Sequence, residues 1–232
     1  MKSLLIGIGF RAKSGKDTVT RMLIERIRNR NVDAFEYKFA RDVRAVAQLL
    51  GLGDPYAENY KEETIYEDKT GGQVLQTIGQ GMRELLGPNI WIHNTARRVQ
   101  DMIYSQVACG KLATCYIFSD CRYQAEANWI KKNGGILIEV FRHVPQDSHI
   151  SETEGNLIDW DYCISNTSSI AHLEKEVDLS LDLIDARLDA ASVRRVFPLP
   201  PELLARKPSE CKLYTRSPSS GQLEIGQTLE LD

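Results

Sequence analysis

The residues best suited to chemistry lie in the segment from Gly7 to Thr18, GIGFRAKSGKDT, which follows the apolar run Leu4-Leu5-Ile6. The pattern predicts a strand, a glycine-containing turn and then a helix, which is the layout of a phosphate-binding loop. Backbone N–H groups of such a turn and the positive end of the helix point at one concavity, which favours a phosphate chain. Lys16 is expected to reach the β- and γ-phosphates, with a side-chain oxygen of Asp17 or Thr18 near the metal. The segment therefore points to nucleoside triphosphate chemistry.

The spacing of this segment departs from the regular pattern G-x-x-x-x-G-K-[ST]. Position 10 is Phe10 instead of glycine, and position 17 is Asp17 instead of serine or threonine. The alternative is an ordinary strand–helix turn, in which Asp17 is only an acid that favours the positive end of the helix. An apolar strand, a basic loop and apolar residues at helical spacing favour the phosphate-binding loop instead; the apolar residues are Val19, Met22, Leu23 and Ile27.

Length and composition limit the class of protein. The chain of 232 residues, 42% of them hydrophobic, is long enough for one domain with an extension. A net charge of −3 does not indicate a nucleic-acid-binding surface. The five cysteines include no C-x-x-C pair, which argues against a disulfide framework and a zinc site. Neither a signal peptide nor an apolar run of the roughly 18 residues of a membrane span is found, so a cytosolic location is expected.

Strand-like and helix-like patterns alternate along the chain, which predicts an α/β fold with a parallel sheet covered on both faces. Strands are expected near residues 4–9, 33–39, 113–120, 136–141 and 162–165, and helices near 16–27, 43–50, 74–85, 91–106, 124–133 and 169–186. Asn89 is expected to cap the fourth helix. Residues 54–70, rich in charge and tyrosine, are predicted to form a surface insertion. Five of the eight prolines follow Ala190, and residues 189–232 are predicted to be a Pro/Ser-rich, partly disordered extension.

A second candidate site follows the strand at 113–120. An acid at the carboxyl end of a buried parallel strand lies beside the phosphate-binding loop, so Asp120 is a candidate for holding Mg²⁺ directly or through water. Arg122 follows two residues later. The alternative is that Asp120 caps the next helix and that Arg122 is a solvated charge.

A third group of candidates lies between the second and fourth helices. Gly79 would let a ligand approach its helix, and Trp91 is a candidate for packing on a base, although a tryptophan is more often a core residue. Arg44 and Arg83 are candidates for binding the phosphate of a second substrate, because the arginine fork suits phosphate geometry.

Taken in order, these segments resemble the phage-type deoxynucleoside monophosphate kinases, relatives of the cellular nucleoside monophosphate kinases. The resemblance runs from Leu4 to about Ile184. It rests on the segments Lys13–Thr18, Phe39–Arg44, Leu75–Gln80, Asn89–Trp91, Asp120–Arg122 with Glu126, Gly134-Gly135 and His149–Glu152.

The resemblance implies a P-loop kinase domain over residues 1–188. This would be a three-layer sandwich with a mostly parallel sheet, a helical substrate-binding insertion at about 40–106 and a lid at about 142–160 that closes over the phosphates. It also implies ATP as co-substrate, Mg²⁺ as cofactor and a deoxynucleoside monophosphate as acceptor. No nucleic acid or membrane partner is expected, a homodimer is a possible assembly, and the cytoplasm (that of the host for a phage gene) is the expected location.

The implied site residues fall into four groups. The ATP-binding residues are Lys13, Ser14, Gly15, Lys16, Asp17 and Thr18, with Arg142 from the lid. The acceptor-binding residues are Arg44, Gly79, Gln80, Arg83, Trp91, Asp120, Arg122, Glu126 and Ser151. The catalytic residues are Lys16, Asp120 and Arg122, and the metal-binding residues are Asp17, Thr18 and Asp120. Two positions depart from the family: Gln73 stands near where an arginine is usual, and Gln80 where threonine is preferred, so Arg83 is expected to take part of the phosphate contact.

The leading hypothesis is phosphoryl transfer from ATP to a deoxynucleoside monophosphate. Two alternatives remain open at this point. Another small-molecule P-loop kinase, such as one acting on dephospho-coenzyme A, would need a base near Asp120 for its hydroxyl acceptor. A nucleotide-binding switch would hold or hydrolyse ATP without an acceptor.

Overall fold

A five-stranded, fully parallel sheet forms the centre of the described chain, in the order β2-β5-β1-β6-β7. The structure is a computed structural model that describes residues 2–9, 12–143 and 154–190, and the backbone of two further strands at 214–216 and 223–225. The strands are β1 (Lys2–Gly9), β2 (Asp33–Tyr37), β3 (Thr64–Tyr66), β4 (Lys69–Thr70), β5 (Ala113–Phe118), β6 (Ile136–Phe141), β7 (Tyr162–Ser165), β8 (Tyr214–Arg216) and β9 (Leu223–Ile225). The helices are α1 (Lys16–Arg28), α2 (Arg41–Leu49), α3 (Gly71–Leu86), α4 (Ile90–Ala108), α5 (Gln124–Lys132) and α6 (Ile170–Ala190).

Helices cover both faces of the sheet, which makes three layers and confirms the predicted architecture. Side chains of β1 point alternately to the two faces. Leu4 and Ile6 join a core with α1 and α6, whereas Leu5 joins a second core with α4 and α5. The strands read as nearly continuous apolar runs because both faces of a parallel sheet are buried.

The insertion between β2 and β5 contains α2, the β3–β4 hairpin, α3 and α4. Residues 54–70 were predicted to be a surface segment, and most of them are exposed. Pro55 and Tyr60 are buried, and the Tyr60 hydroxyl donates a hydrogen bond to the carbonyl of Leu52 at 2.8 Å. This hydrogen bond joins the segment to the turn that follows α2.

Two capping residues in the insertion differ from what the sequence suggested. Asn89 is the N-cap residue of α4, at the predicted position, but its side chain makes no capping hydrogen bond. At the start of α3, the side chains of Thr70 and Gln73 each accept a hydrogen bond from the other's backbone N–H. Gln73, which departs from the family pattern, thus forms a capping box in this chain.

The strand order brings the candidate residues to one edge of the sheet. Because β1 and β5 are parallel neighbours, with Gly7 paired to Phe118, the segments that follow both strands leave the sheet at the same edge. Those segments contain the phosphate-binding loop and Asp120. Among the described residues, none of the helices has the length and apolar character needed to cross a membrane.

Candidate active site

The loop between β1 and α1 has the backbone of an anion-binding turn. Lys13 and Gly15 both have left-handed conformations, with φ of 59° and 91°, on either side of Ser14. Gly15 is the N-terminal cap of α1, and its carbonyl accepts the N–H groups of Thr18 and Val19 at 3.0 and 3.1 Å. Alternation of this kind turns backbone N–H groups toward a common centre, where an anion binds.

Two side chains of this segment, Ser14 and Lys16, are buried. Ser14 is fully buried, and its Oγ has no hydrogen-bond partner among the residues that the structure describes. Lys16, the first residue of α1, is only 6% exposed. An ammonium group held this close to a helix N-terminus adds to the positive potential of the loop. Phe10 and the following arginine of the loop lie outside the described residues.

Asp17 faces solvent and forms an ion pair with Lys38. The Asp17 Oδ1 atom is 3.3 Å from the Nζ atom of Lys38, which also lies 3.3 Å from a Glu36 carboxylate oxygen. Burial lowers the pKa of Lys38, but the two carboxylates outweigh it and the pKa is raised overall. Thr18 follows Asp17 and is half-buried.

Asp120 holds the chain that enters α2. Its Oδ1 accepts the backbone N–H of Phe39 at 2.8 Å, and its Oδ2 accepts that of Ala40 at 2.9 Å. The alternative reading, a cap on the next helix, is wrong, because the capped turn precedes α2. Burial raises the pKa of Asp120, although the two N–H donors oppose this effect by stabilising the carboxylate.

The oxygen donors at this edge are of the type that a magnesium ion brought by a nucleotide would use. The described residues contain no group of three or more His, Cys, Asp or Glu side chains that could hold a metal. Mg²⁺ typically uses one or two carboxylates and completes its shell with phosphate oxygens and water. Asp17, Asp120 and the Thr18 hydroxyl are oxygen donors of this type.

Glu126 is the centre of a buried polar network. It is 2% exposed, and it accepts the backbone N–H groups of Arg122 and Tyr123 at 2.9 and 3.1 Å. Its other carboxylate oxygen, Oε1, accepts a hydrogen bond from Nη2 of Arg83 at 3.1 Å. Burial, with a further contribution from Asp120, raises the pKa of Glu126 to about 7.

Two arginines border this network. The Arg83 guanidinium lies 3.7 Å from the ring centroid of Tyr123, and its Nη1 donates to the Gly79 carbonyl at 3.4 Å. Tyr123 is a site residue that sequence reasoning missed, since only its position before α5 distinguishes it from other tyrosines. The Nε atom of Arg122 is buried and lacks a hydrogen-bond partner in the described chain.

A cleft of about 190 Å³ lies between α3 and the start of α5. Its walls are Gln80, Arg83, Glu84, Pro88, Tyr123, Ala125 and Glu154. Ligand pockets usually enclose roughly 300–1,000 Å³, so this cleft has room for part of a nucleotide. The amide Nε2 of Gln80 donates to Glu84 at 2.9 Å.

Other predicted substrate residues have partners within the insertion. Arg44 donates a hydrogen bond to the Pro55 carbonyl, and its guanidinium lies 5.6 Å from the ring centroid of Tyr56. Trp91 is 2% exposed, and its indole N–H donates to the Gly79 carbonyl at 3.0 Å. This burial does not support the predicted contact of Trp91 with a base and favours a packing role.

Gly79 is buried, but packing does not require a glycine there. A Cβ at this position would lie 3.7 Å from the nearest atoms, which is ordinary van der Waals contact. Arg142 follows β6 and is exposed. Ser151 and most of the predicted lid lie outside the described residues.

Asn166 is a second residue that sequence reasoning missed. It follows β7, and its side-chain Nδ2 donates to the carbonyl of Ser14 at 2.8 Å. Nothing in the local sequence indicates this contact, because the two residues are 152 positions apart.

Comparison with known proteins gives one similar curated sequence. No family model matches the chain. The chain is 27% identical over 196 residues to a protein of Acanthamoeba polyphaga mimivirus named "Putative deoxynucleotide monophosphate kinase", and the match covers 77% of this chain and 96% of that one.

Solved structures of P-loop kinases are also similar, at low scores. An APS kinase of Mycobacterium tuberculosis has a TM-score of 0.39 at 9% identity and covers 80% of this chain and 99% of its own. A dephospho-CoA kinase of Campylobacter jejuni has a TM-score of 0.36 at 13% identity, and the match covers 79% of this chain and 97% of that one. A shikimate kinase of Aquifex aeolicus has a TM-score of 0.35 at 14% identity, and the match covers 79% of this chain and 99% of that one. The order of the sheet and the helix layers on its two faces define the architecture. The mimivirus sequence confirms the resemblance of this chain to the deoxynucleoside monophosphate kinases.

Proposed function

We propose that this protein transfers the γ-phosphoryl group of ATP to the phosphate of a deoxynucleoside monophosphate. One observation carries the proposal: the phosphate-binding loop follows β1 and Arg122 follows its parallel neighbour β5, at the same edge of the sheet, and Arg83 of α3 reaches this region through its ion pair with Glu126. A loop for the triphosphate beside arginines for a second anion suits a two-substrate enzyme. The similarity to the mimivirus protein supports the same reaction.

The proposed chemistry needs no strong base. An oxygen of the acceptor phosphate attacks the γ-phosphorus, the bond from that phosphorus to the β–γ bridging oxygen breaks, and ADP leaves with the electron pair. The acceptor is already an anion, so catalysis consists of positioning and of neutralising charge. Lys16 reaches the ATP phosphates, and Arg122 faces the transferred group.

Asp17, Thr18 and Asp120 are the residues that would hold Mg²⁺, whose charge would offset that of the phosphates. Arg83 is the proposed anchor of the acceptor in the cleft beside Tyr123. The ion pair to Glu126 and the Tyr123 ring hold its guanidinium in one place. A fixed guanidinium loses less entropy when it binds a phosphate than a free one does.

A hydroxyl acceptor is the second candidate, and the raised pKa of Glu126 is the observation that favours it. A carboxyl with a pKa of about 7 is suited to a general base. Against this role, Glu126 is buried and already accepts three hydrogen bonds, so it does not face an acceptor.

An acceptor panel tests the proposal. ADP and nucleoside diphosphate formation would be followed with Mg-ATP and each deoxynucleoside monophosphate, each ribonucleoside counterpart and dephospho-coenzyme A. We expect turnover that depends on a monophosphate, with a preference for deoxynucleotides. Turnover only with dephospho-coenzyme A would favour the hydroxyl acceptor, and ATP binding without acceptor-dependent turnover would favour a switch.

A cytoplasmic location is part of the proposal. In the described chain Cys109, Cys115, Cys121 and Cys163 are free thiols, which suits a reducing compartment.

A further inference from the structure

The peptide unit between Ser14 and Gly15 is held by a residue that follows the edge strand β7. Asn166 Nδ2 donates to the Ser14 carbonyl oxygen at 2.8 Å. In a planar trans peptide, the C=O of one residue and the N–H of the next point in opposite directions. Since the Ser14 carbonyl is directed at Asn166, the N–H of Gly15 is directed away from it.

The sheet fixes Asn166 itself. Its backbone N–H donates to the Phe141 carbonyl at 2.8 Å, which continues the pairing of β6 and β7 by one residue. The side-chain amide therefore extends from the end of a paired strand. The backbone pairing limits the movement of Asn166 relative to the loop beside it.

The loop and Asn166 also fit each other closely. A Cβ at position 15 would lie 2.3 Å from Asn166 Nδ2, well inside the distance that real atoms adopt. Position 15 favours glycine because of its φ of 91°, and a Cβ there would displace the Asn166 amide from the Ser14 carbonyl.

We propose that Asn166 is a positioning residue for ATP, whose side-chain amide orients the Ser14–Gly15 peptide so that the Gly15 N–H faces the triphosphate. The inference rests on the proposed function only in that the loop binds a nucleoside triphosphate. It adds the residue that follows β7 to a triphosphate site that otherwise consists of the loop after β1, the start of α1 and the segment after β5. It also predicts that Asn166 acts on the phosphates and not on the base.

Binding of inorganic tripolyphosphate and of ATP to the full-length protein tests this, because tripolyphosphate has no base. Calorimetry would compare wild type, Asn166→Ala, Asn166→Asp and the control Asn133→Ala. Asn133 Nδ2 donates to the Trp129 carbonyl at 2.7 Å at the end of α5, so this control removes a similar hydrogen bond outside the loop.

We expect Asn166→Ala to weaken both ligands by about tenfold, the size of one lost hydrogen bond with an unpaired partner. Asn166→Asp should weaken both further, because a carboxylate oxygen would face the Ser14 carbonyl and add negative charge beside the phosphates. Asn133→Ala should change neither affinity. Because aspartate has nearly the shape of asparagine, the affinities of Asn166→Asp test the inference even if Asn166→Ala does not fold.

Two results would overturn the inference. One is unchanged affinity of the Asn166 variants for both ligands. The other is a loss of ATP affinity with tripolyphosphate affinity preserved, which would assign Asn166 to the base. In steady state, the KM for ATP should rise while that for the acceptor stays constant.

The proposed function can fail separately from this inference. A wild-type protein that binds both ligands but phosphorylates no monophosphate would refute the proposed reaction and leave the comparison of variants valid. A wild-type protein that binds neither ligand would overturn both.

Discussion

Arg83 of α3 and Glu126 of α5 form an ion pair that joins the insertion to the helix layer on the sheet. The Nη2 and Oε1 atoms are 3.1 Å apart, and the two side chains are 15% and 3% exposed. Removal of one partner from such a pair leaves a buried charge without compensation, which is costly. The pair therefore links the position of the insertion to the protonation state of one carboxyl group.

We expect Glu126→Gln to remove a pH dependence of stability. Burial raises the pKa of Glu126 from 4.5 to about 7, so the folded protein binds this proton more tightly than the unfolded chain. The free energy of unfolding of wild type, relative to the variant, should then fall as pH rises from about 4.5 to about 7, by roughly 3 kcal/mol in total. Urea unfolding across this range measures it. Glu174→Gln, at an exposed position of α6, is the control, and parallel curves for wild type and Glu126→Gln would contradict the expectation.

Lys16→Met should abolish most of the turnover. The ammonium group lies at the start of α1, where the transferred phosphoryl group develops charge in the proposed mechanism, and the loss of one such donor costs roughly 100- to 1,000-fold in rate. Acceptor-dependent ADP formation is the measurement. Lys132→Met changes an exposed lysine of α5 and should have wild-type turnover. Near-normal turnover of Lys16→Met would show that the mechanism is wrong.

Asp120→Asn should have two separable effects. Asparagine keeps one acceptor oxygen and places an NH₂ group against a backbone N–H, so stability should fall by about 1–3 kcal/mol. Turnover should also fall, with a higher Mg²⁺ concentration required for half-maximal activity. Denaturant unfolding and Mg²⁺ titrations of activity separate the two. Wild-type activity and Mg²⁺ dependence together with lower stability would leave Asp120 a purely structural residue.

Trp91→Phe should affect stability and not base preference. The substitution removes the indole N–H that binds the Gly79 carbonyl, at a cost of about 1 kcal/mol, and keeps an apolar ring in the core. The KM values for the acceptors should keep their order. A changed order of base preference at unchanged stability would instead place the ring against the base.

The α/β order, the strands and most helix bounds could be predicted from the sequence, because burial imposes a period on the apolar residues. Val19, Leu23 and Ile27 are all buried on α1, as their spacing indicates. The roles of single polar residues were harder to predict. A tryptophan such as Trp91 is more often a core residue but also suits a ligand site, and only the packing of α4 on α3 distinguishes the two.

Contacts between distant segments could not be predicted for a physical reason. Asn166 contacts Ser14 only because β6 and β7 follow β1 on one side of the sheet. No local sequence pattern specifies this order of strands. Glu126 was placed in the site by resemblance alone. Its burial and its three donors depend on how α5 starts after β5, beneath Arg83 of the insertion.

The central place of β1 has a consequence for how the protein opens and closes. β1 is hydrogen-bonded to β5 on one side and to β6 on the other, whereas β2 and β7 form the edges of the sheet. Amide hydrogens of a central strand exchange with solvent mainly through global unfolding, whereas those of edge strands also exchange through local fraying. Fraying of an edge strand thus leaves β1 paired on both sides, so the strand that carries the phosphate-binding loop keeps its place during local opening.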